Sequence, residues 1–335
     1  MPYDRRTVAR TSPQPDTDRP LRAAVIGECL IELLRTEPGH LTMRPAGDTF
    51  NTAAMLVRAS RALGTEMDVA YVTGLGDDPL SDEIASAITD HGLVNASARI
   101  PGRACGLYLL ERDSGAMWYW RGDSAARALF QDDGWIPAEQ PDLVFLSLIT
   151  LQQMSELARE RAADWLATIR SHGATVAFSA NHRATGWPSR EQASAVAARF
   201  VAASDIVFAS VADCRALFAS SDAGAAVDRL TGLGAAEVVV TAGADGAFLA
   251  ADGSDIRLDA EASTEAVDAT GAGDAFAGTY LAWRSSELPA EDAGRAAMRV
   301  ASVTIASVGA LPRSGSPEEA AIDRALSQST RTARP

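Results

Sequence analysis

The sequence predicts an α/β fold of three layers, a mostly parallel central sheet between helices, with a small β appendage. Three observations carry this. Short apolar runs such as "AAVIG" (23–27), "DLVFLSL" (142–148) and "EVVVTAG" (237–243) alternate with longer segments of helical spacing. These runs are apolar without a polar alternate, as expected for strands covered on both faces. One pair of stretches, 104–111 and 116–121 joined by "RDSG", breaks the alternation and reads as a hairpin. A chain of 335 residues with 47% hydrophobic content can bury one large domain, or one domain plus an appendage.

The elements follow in order. Residues 21–34 open with a buried strand. Residues 49–63 carry apolar positions at helical spacing and stop at Gly64. "DVAYVTGL" (68–75) is a strand, and 79–92 is a helix with Pro79 near its start and Gly92 at its end. After the hairpin come strand 142–148, helix 152–171, strand 174–180, helix 189–203, strand 205–210, strands 237–243 and 246–250, and helices 272–286 and 290–307. The hairpin, with 33–45, forms the appendage. No period of 20–50 residues repeats. The polar segments 1–20 and 321–335 are expected to be tails on a single domain spanning 21–320.

Composition excludes several classes of function. The formal charge is −14, from 44 acidic against 30 basic residues, so nucleic acid and anionic membranes are poor partners. No apolar run approaches the roughly 18 residues of a membrane span, and the N-terminal segment lacks an apolar signal core. Cys29, Cys105 and Cys214 are scattered, without disulfide or zinc spacing, which suits a reducing cytoplasm. All 30 basic residues are arginine. The absence of lysine removes Schiff-base chemistry, the P-loop and the protein-kinase site. If phosphate is handled, backbone amides, arginine and metal must do it.

"AVDATGAGDAF" (266–276) is the most informative stretch. Its glycine run stands just before a helix, where the N–H groups of Gly271, Ala272 and Gly273 are expected to be unpaired and, with the helix dipole, to form an anion hole. Asp274 falls in the first helical turn beside that hole. Taken alone it could simply complement the dipole. A dinucleotide-binding turn requires G-x-G-x-x-G, and the next glycine, Gly278, is too distant.

With "AVIGECLIEL" (24–33), "AGDTFNTA" (46–53), "YVTGLGDDPLSDE" (71–83), "GLYLLERD" (106–113) and "YWRGDSAAR" (119–127), this motif resembles the ribokinase-like (PfkB) sugar kinases over nearly all of 22–312. Within that family it looks most similar to the 2-keto-3-deoxygluconate kinases. The resemblance implies a ribokinase-like α/β/α sandwich with a small β-sheet lid from about 33–45 and 103–122. It also implies ATP and Mg²⁺, and pairing of two copies through the lid. Asp274 is the implied base, taking the proton of a sugar hydroxyl as it attacks the γ-phosphate, with the 271–273 amides holding the charge that develops. A carboxylate of ordinary pKa is expected to serve. Asp268 either organises the loop or merely starts the turn.

On the sugar side the family pattern falls on Gly47, Asn51, Tyr108, Tyr119, Arg121 and Arg183, with Glu32 an acidic candidate. Tyr119 and Arg121 are two apart and are expected to share a strand face. An arginine there can bind a carboxylate bidentately, which favours an acidic keto sugar over fructose or ribose. The alternative is an ordinary amphipathic hairpin. On the nucleotide side the pattern falls on Ser210, Thr241, Gly243 and Gly246, besides Gly271 and Gly273. Two departures stand out: Ser179 replaces a common Asp, and "SVAD" (210–213) replaces Asn-x-x-Glu, leaving Asp213 as the carboxylate expected to anchor Mg²⁺. The expected reaction is phosphorylation of 2-keto-3-deoxygluconate at its C6 hydroxyl. Alternatives are a kinase for fructose or 5-dehydro-2-deoxygluconate, or a sugar-acid binding protein that does no chemistry.

Overall fold

The computed structural model describes residues 19–37, 39–111, 116–137, 139–261 and 266–333. The hairpin turn expected at 112–115 and residues 1–18 of the expected N-terminal tail lie outside them. In chain order the strands are β1 Leu21–Ile26, β2 Leu30–Glu37, β3 His40–Ala46, β4 Met67–Val72, β5 Gly74–Leu75, β6 Val94–Asn95, β7 Ala98–Arg99, β8 Leu107–Glu111, β9 Met117–Trp120, β10 Leu143–Ser147, β11 Thr175–Ser179, β12 Ile206–Ser210, β13 Glu237–Thr241, β14 Ala247–Ala251 and β15 Ser254–Leu258. The helices are α1 Asp48–Leu63, α2 Pro79–Asp90, α3 Leu148–Gln153, α4 Glu156–Ser171, α5 Arg190–Ala202, α6 Val211–Phe218, α7 Ala223–Gly232, α8 Ala272–Ser285, α9 Ala290–Thr304 and α10 Pro317–Ala333.

The central sheet runs β15-β14-β13-β12-β11-β10-β1-β4-β6 and is parallel from β13 to β6, with β14 and β15 antiparallel at one edge. The strand period of two explains the layering. Ala23 and Val25 of β1 join one buried cluster with α1, α8 and α9, while Ala24 and Ile26 join the other with α4, α5 and α7. Both faces are therefore dry, and the apolar strands are accounted for. β1 lies mid-sheet, paired with β4 on one side and β10 on the other. Strand order reverses there, and in open α/β sheets ligands bind outside the carboxyl ends of the strands at such a point.

The small sheet has the order β3-β2-β8-β9 and is mixed: β2 and β8 are parallel, whereas β2–β3 and β8–β9 are antiparallel. Its interior is a minor core of Leu30, Leu34, Ala46, Tyr108 and Leu110.

The structure corrects three expectations. The segment 321–335 is no tail through Ala333. It belongs to α10, whose Ile322, Ala325 and Leu326 are buried against the α1 and α9 layer at the i, i+3, i+4 spacing of a helix face. The helix expected over 152–171 is two helices, because Ser155 takes an extended conformation and caps α4 through Ala158 N–H. Arg19, placed in the N-terminal tail by composition, is bonded to Asp142 at 2.7 and 2.8 Å. Among the described residues, no helix is long and apolar enough to cross a membrane.

Candidate active site

A cleft of about 790 Å³ lies outside the carboxyl ends of the parallel strands. Its wall takes residues from just past five of them: Glu28 after β1, Ile149 after β10, Asn181 after β11, Asp213 after β12 and Gly243 after β13. The small sheet forms its remaining side through Tyr108, Met117 and Tyr119.

Asp274 stands in the first turn of α8, at the cleft. Asn51 Nδ2 donates to its Oδ2 at 2.8 Å. Asp48, in the first turn of α1, accepts from Asn181 Nδ2 at 3.1 Å. Burial, reinforced by the negative charge of Asp48, pushes the Asp274 carboxyl up to about 7, against the opposing pull of the Asn51 amide and the Arg183 charge. An ordinary carboxyl pKa, as expected from sequence, is thereby corrected. A value near 7 is better suited to a general base, since a stronger base still ionises at neutral pH.

The glycine run is built as an N-terminus. Gly271 is the residue before α8, at φ 79°, a left-handed conformation that glycine takes without cost. Among the described residues no protein acceptor takes the N–H of Gly271 or Gly273, whereas Ala272 N–H bonds Ala269 O at 3.3 Å. The anion hole expected from three amides therefore has two free ones, and Ala272 does not line the cleft. Asp268 organises this loop. It accepts Thr270 N–H at 2.9 Å through one oxygen and Gly309 N–H at 2.8 Å through the other. Burial alone would raise its pKa, but the bonds from Thr270 and Gly309 and the charge of Arg44 hold it below the usual range.

Of the residues expected on the sugar side, Gly47, Asn51, Tyr108, Tyr119, Arg121 and Arg183 all line the cleft. Their contacts are not all those expected. Gly47 is required because a Cβ there would strike the carbonyl oxygen of Glu28. Asn51 is bonded to the carboxylate of Asp274. The Tyr108 hydroxyl donates to Glu32, which also pairs with Arg44, so Glu32 is a buried brace of the small sheet rather than a wall of the cleft. Burial and the Glu32 charge drive the Tyr108 phenol pKa upward. Arg121 lies one residue past β9, with its guanidinium 5.8 Å from the Tyr119 ring centroid, and forms an ion pair with Glu28. Tyr119 stacks on Tyr108 at 5.7 Å.

On the nucleotide side, Ser179, Ser210, Thr241 and Gly243 line the cleft, but Gly246 does not. Gly246 packs where a Cβ would meet the Leu258 carbonyl oxygen. Asp213 is largely spent on structure. Its Oδ2 accepts the N–H and hydroxyl of Ser210 at 2.9 and 2.6 Å, closing a capping box on α6, and its Oδ1 accepts His182 N–H at 2.9 Å. With Ser179 in place of a carboxylate, these side chains do not fit a direct protein shell for Mg²⁺. Among the described residues no group of three His, Cys, Asp or Glu is placed to hold a metal ion. Asp213→Ala is expected to lower unfolding free energy by about 1–2 kcal/mol through loss of the cap and of its bond to His182. Denaturant titration checks this. Unchanged stability would return Asp213 to a ligand role.

Sequence reasoning missed Glu28, Asp48 and Asn181. Glu28 and Asp48 stand inside "AVIGECLIEL" and "AGDTFNTA", and Asn181 lies two residues before Arg183.

The pfkB family carbohydrate kinase model matches residues 21–316. The chain belongs to the pfkB family of carbohydrate kinases. It is a carbohydrate kinase, and ATP use comes with the family. The 2-dehydro-3-deoxygluconokinase of Escherichia coli (strain K12) is 32% identical over 315 residues, covering 88% of this chain and 99% of that protein. The crystal structure of aminoimidazole riboside kinase from Salmonella enterica, complexed with aminoimidazole riboside and an ATP analog, superposes with a TM-score of 0.77 at 22% identity over 91% of this chain and 99% of its own. That of 2-dehydro-3-deoxygluconokinase from Thermotoga maritima gives 0.74 at 21% identity, over 92% and 99%. At these identities the structures speak for the fold alone, which is ribokinase-like.

Proposed function

We propose that this carbohydrate kinase transfers the γ-phosphoryl group of ATP to the C6 hydroxyl of an acidic keto sugar, 2-keto-3-deoxygluconate. The observation that carries the reading is the juxtaposition of Asp274 with the free amides of Gly271 and Gly273 in a cleft that Arg183 also lines. The sugar hydroxyl oxygen attacks the γ-phosphorus, its proton passes to Asp274, and the bond to the β-phosphate oxygen breaks to release ADP. Asp274 Oδ2 is held by Asn51, so Oδ1 is the oxygen that meets the hydroxyl. The two amides at the start of α8 hold the charge on the phosphoryl oxygens. Magnesium, if it accompanies ATP, would supply further charge neutralisation at the phosphates, with Asp213, already bonded to Ser210 and His182, the one carboxylate expected to anchor it.

A specific observation favours a second reading, a kinase for a neutral keto sugar such as fructose. Arg121 is already neutralised by Glu28, so one of the two arginines assigned to a carboxylate is not a free charge. ADP release over a panel of keto sugar acids and neutral keto sugars separates the two. The first reading predicts a kcat/KM for 2-keto-3-deoxygluconate at least about 10-fold above that for fructose, the scale of one charge-assisted hydrogen bond. The reverse order establishes the second.

A further inference from the structure

One row of side chains crosses the whole small sheet and leaves it at the phosphate end of the cleft. Arg44, Glu32, Tyr108 and Tyr119 are register partners across β3, β2, β8 and β9, so they share one face. Tyr108 and Tyr119 stack on each other and line the cleft. The Tyr108 hydroxyl donates to one oxygen of Glu32, and Arg44 Nε donates to the other. Glu32 is buried, and a buried carboxylate holds its donors firmly because no water replaces them.

The row continues beyond the sheet. Arg44 Nη1 donates to Val308 O, a long bond of 3.4 Å, and the guanidinium lies where a Cβ on Gly309 would fall. The Val308 side chain packs against the minor core of the small sheet. Residues 308–310 in turn back the loop before α8. Gly309 N–H bonds Asp268, which also accepts Thr270 N–H. Ala310 presses on Gly271 so closely that no Cβ would fit there. Against burial, and after the bonds from Thr270 and Gly309, the Arg44 charge helps hold the Asp268 carboxyl below its usual range. One guanidinium therefore touches both the brace of the tyrosine wall and the backing of the free amides.

We propose that Arg44 is a positioning residue for phosphoryl transfer: it clamps residues 308–310 to the small sheet and so fixes the amides of Gly271 and Gly273 relative to the wall that meets the sugar. The assignment rests on the reading above, in which those amides take the phosphoryl group. An arginine that served Glu32 alone would matter to the sugar wall and not to ATP.

Steady-state kinetics with ATP varied tests this, at saturating 2-keto-3-deoxygluconate, or fructose if the panel above selects it. Sugar affinity by calorimetry and thermal unfolding accompany each variant. The first protein is the pair Glu32→Gln, Arg44→Gln. It strands no charge and keeps an acceptor for Tyr108, but its side chain at 44 is too short to reach Val308. It is expected to lose about 5- to 30-fold in kcat/KM for ATP, the scale of coupling within a contact network, with sugar affinity within about 3-fold. The second is Asp268→Asn, which cannot accept both the Thr270 and the Gly309 N–H. Because both changes act on one loop, the combined protein is expected to fall no more than about 2-fold below Asp268→Asn alone. Losses that multiply, or no loss in the pair, overturn the proposal. So does a large loss of sugar affinity with unchanged ATP kinetics. Should the pair not fold, Arg44→Lys takes its place, since it keeps a charge beside Glu32 without the planar fork that reaches Val308. Gly273→Val, whose added Cβ meets none of these groups, is assayed alongside. A loss there beside an unaffected pair overturns the role of Arg44 only. Unchanged kcat/KM in both means that phosphate does not meet the amides, and overturns the reading beneath the proposal together with it.

Discussion

Asp274→Asn is expected to lower kcat by about 10²–10⁴-fold while sugar affinity stays within a few-fold. The substitution keeps the shape of the side chain and removes the atom that accepts the proton. Its surroundings are suited to the change. Burial and the Asp48 charge already disfavour the ionised carboxylate, so a neutral amide costs nothing there and relieves the repulsion with Asp48. The Asn51 contact at 2.8 Å survives if the new amide turns its oxygen toward Asn51 Nδ2. A stable, sugar-binding and inactive protein is therefore the expected phenotype. Near-normal turnover would reduce Asp274 to a helix-start residue.

The second large effect is expected at the start of α8, by two routes. Gly271→Val places a β-branched residue at φ 79°, and its Cβ would lie 2.5 Å from the Ala310 Cα. The loop tied by Asp268 to Gly309 must then shift, and both free amides shift with it. Gly273→Val meets nothing: no atom lies within 4 Å of the added Cβ. It folds normally and obstructs only what approaches from the cleft. Both variants are expected to lose about 10²–10³ in kcat/KM for ATP, the scale of a lost oxyanion-type donor. Only Gly271→Val is expected to lose about 1–3 kcal/mol of stability, through backbone strain. Steady-state kinetics with ATP varied, beside denaturant unfolding, separates the routes. Unchanged kcat/KM in folded Gly273→Val would mean that phosphate does not approach these amides.

Much of this architecture was legible in the sequence, for identifiable reasons. The central strands read clearly because burial on both faces leaves no polar residue in "VIG" (25–27) or "VVV" (238–240). The loop before α8 was legible because a left-handed turn, seen at Gly271, and the phosphate approach proposed there both demand residues without bulk. What escaped depends on tertiary neighbours. α10 is polar on most of its surface, and Ile322, Ala325 and Leu326 define a helix face only once the α1 and α9 layer is there to cover them. Asp213 looked like a metal anchor by position, yet its oxygens are drawn to Ser210 and to the His182 N–H, 31 residues away in sequence. The raised pKa of Asp274 needs its burial in the fold and, after that, the charge of Asp48, 226 residues earlier, brought alongside by the packing of α1 on α8. Glu28 and Arg121 form a pair only because the small sheet folds back over the carboxyl end of β1.

The pH dependence of kcat/KM for the sugar acid tests most directly whether Asp274 is the base. Its pKa is raised to about 7, so acidification through that value protonates it and removes the acceptor. The account predicts a rate that is level above about pH 8 and falls tenfold per pH unit below about pH 6, with the midpoint near 7. The same profile is expected to disappear from the residual activity of Asp274→Asn. A wild-type rate that stays level down to about pH 4–5, the range of an ordinary carboxyl, would contradict it.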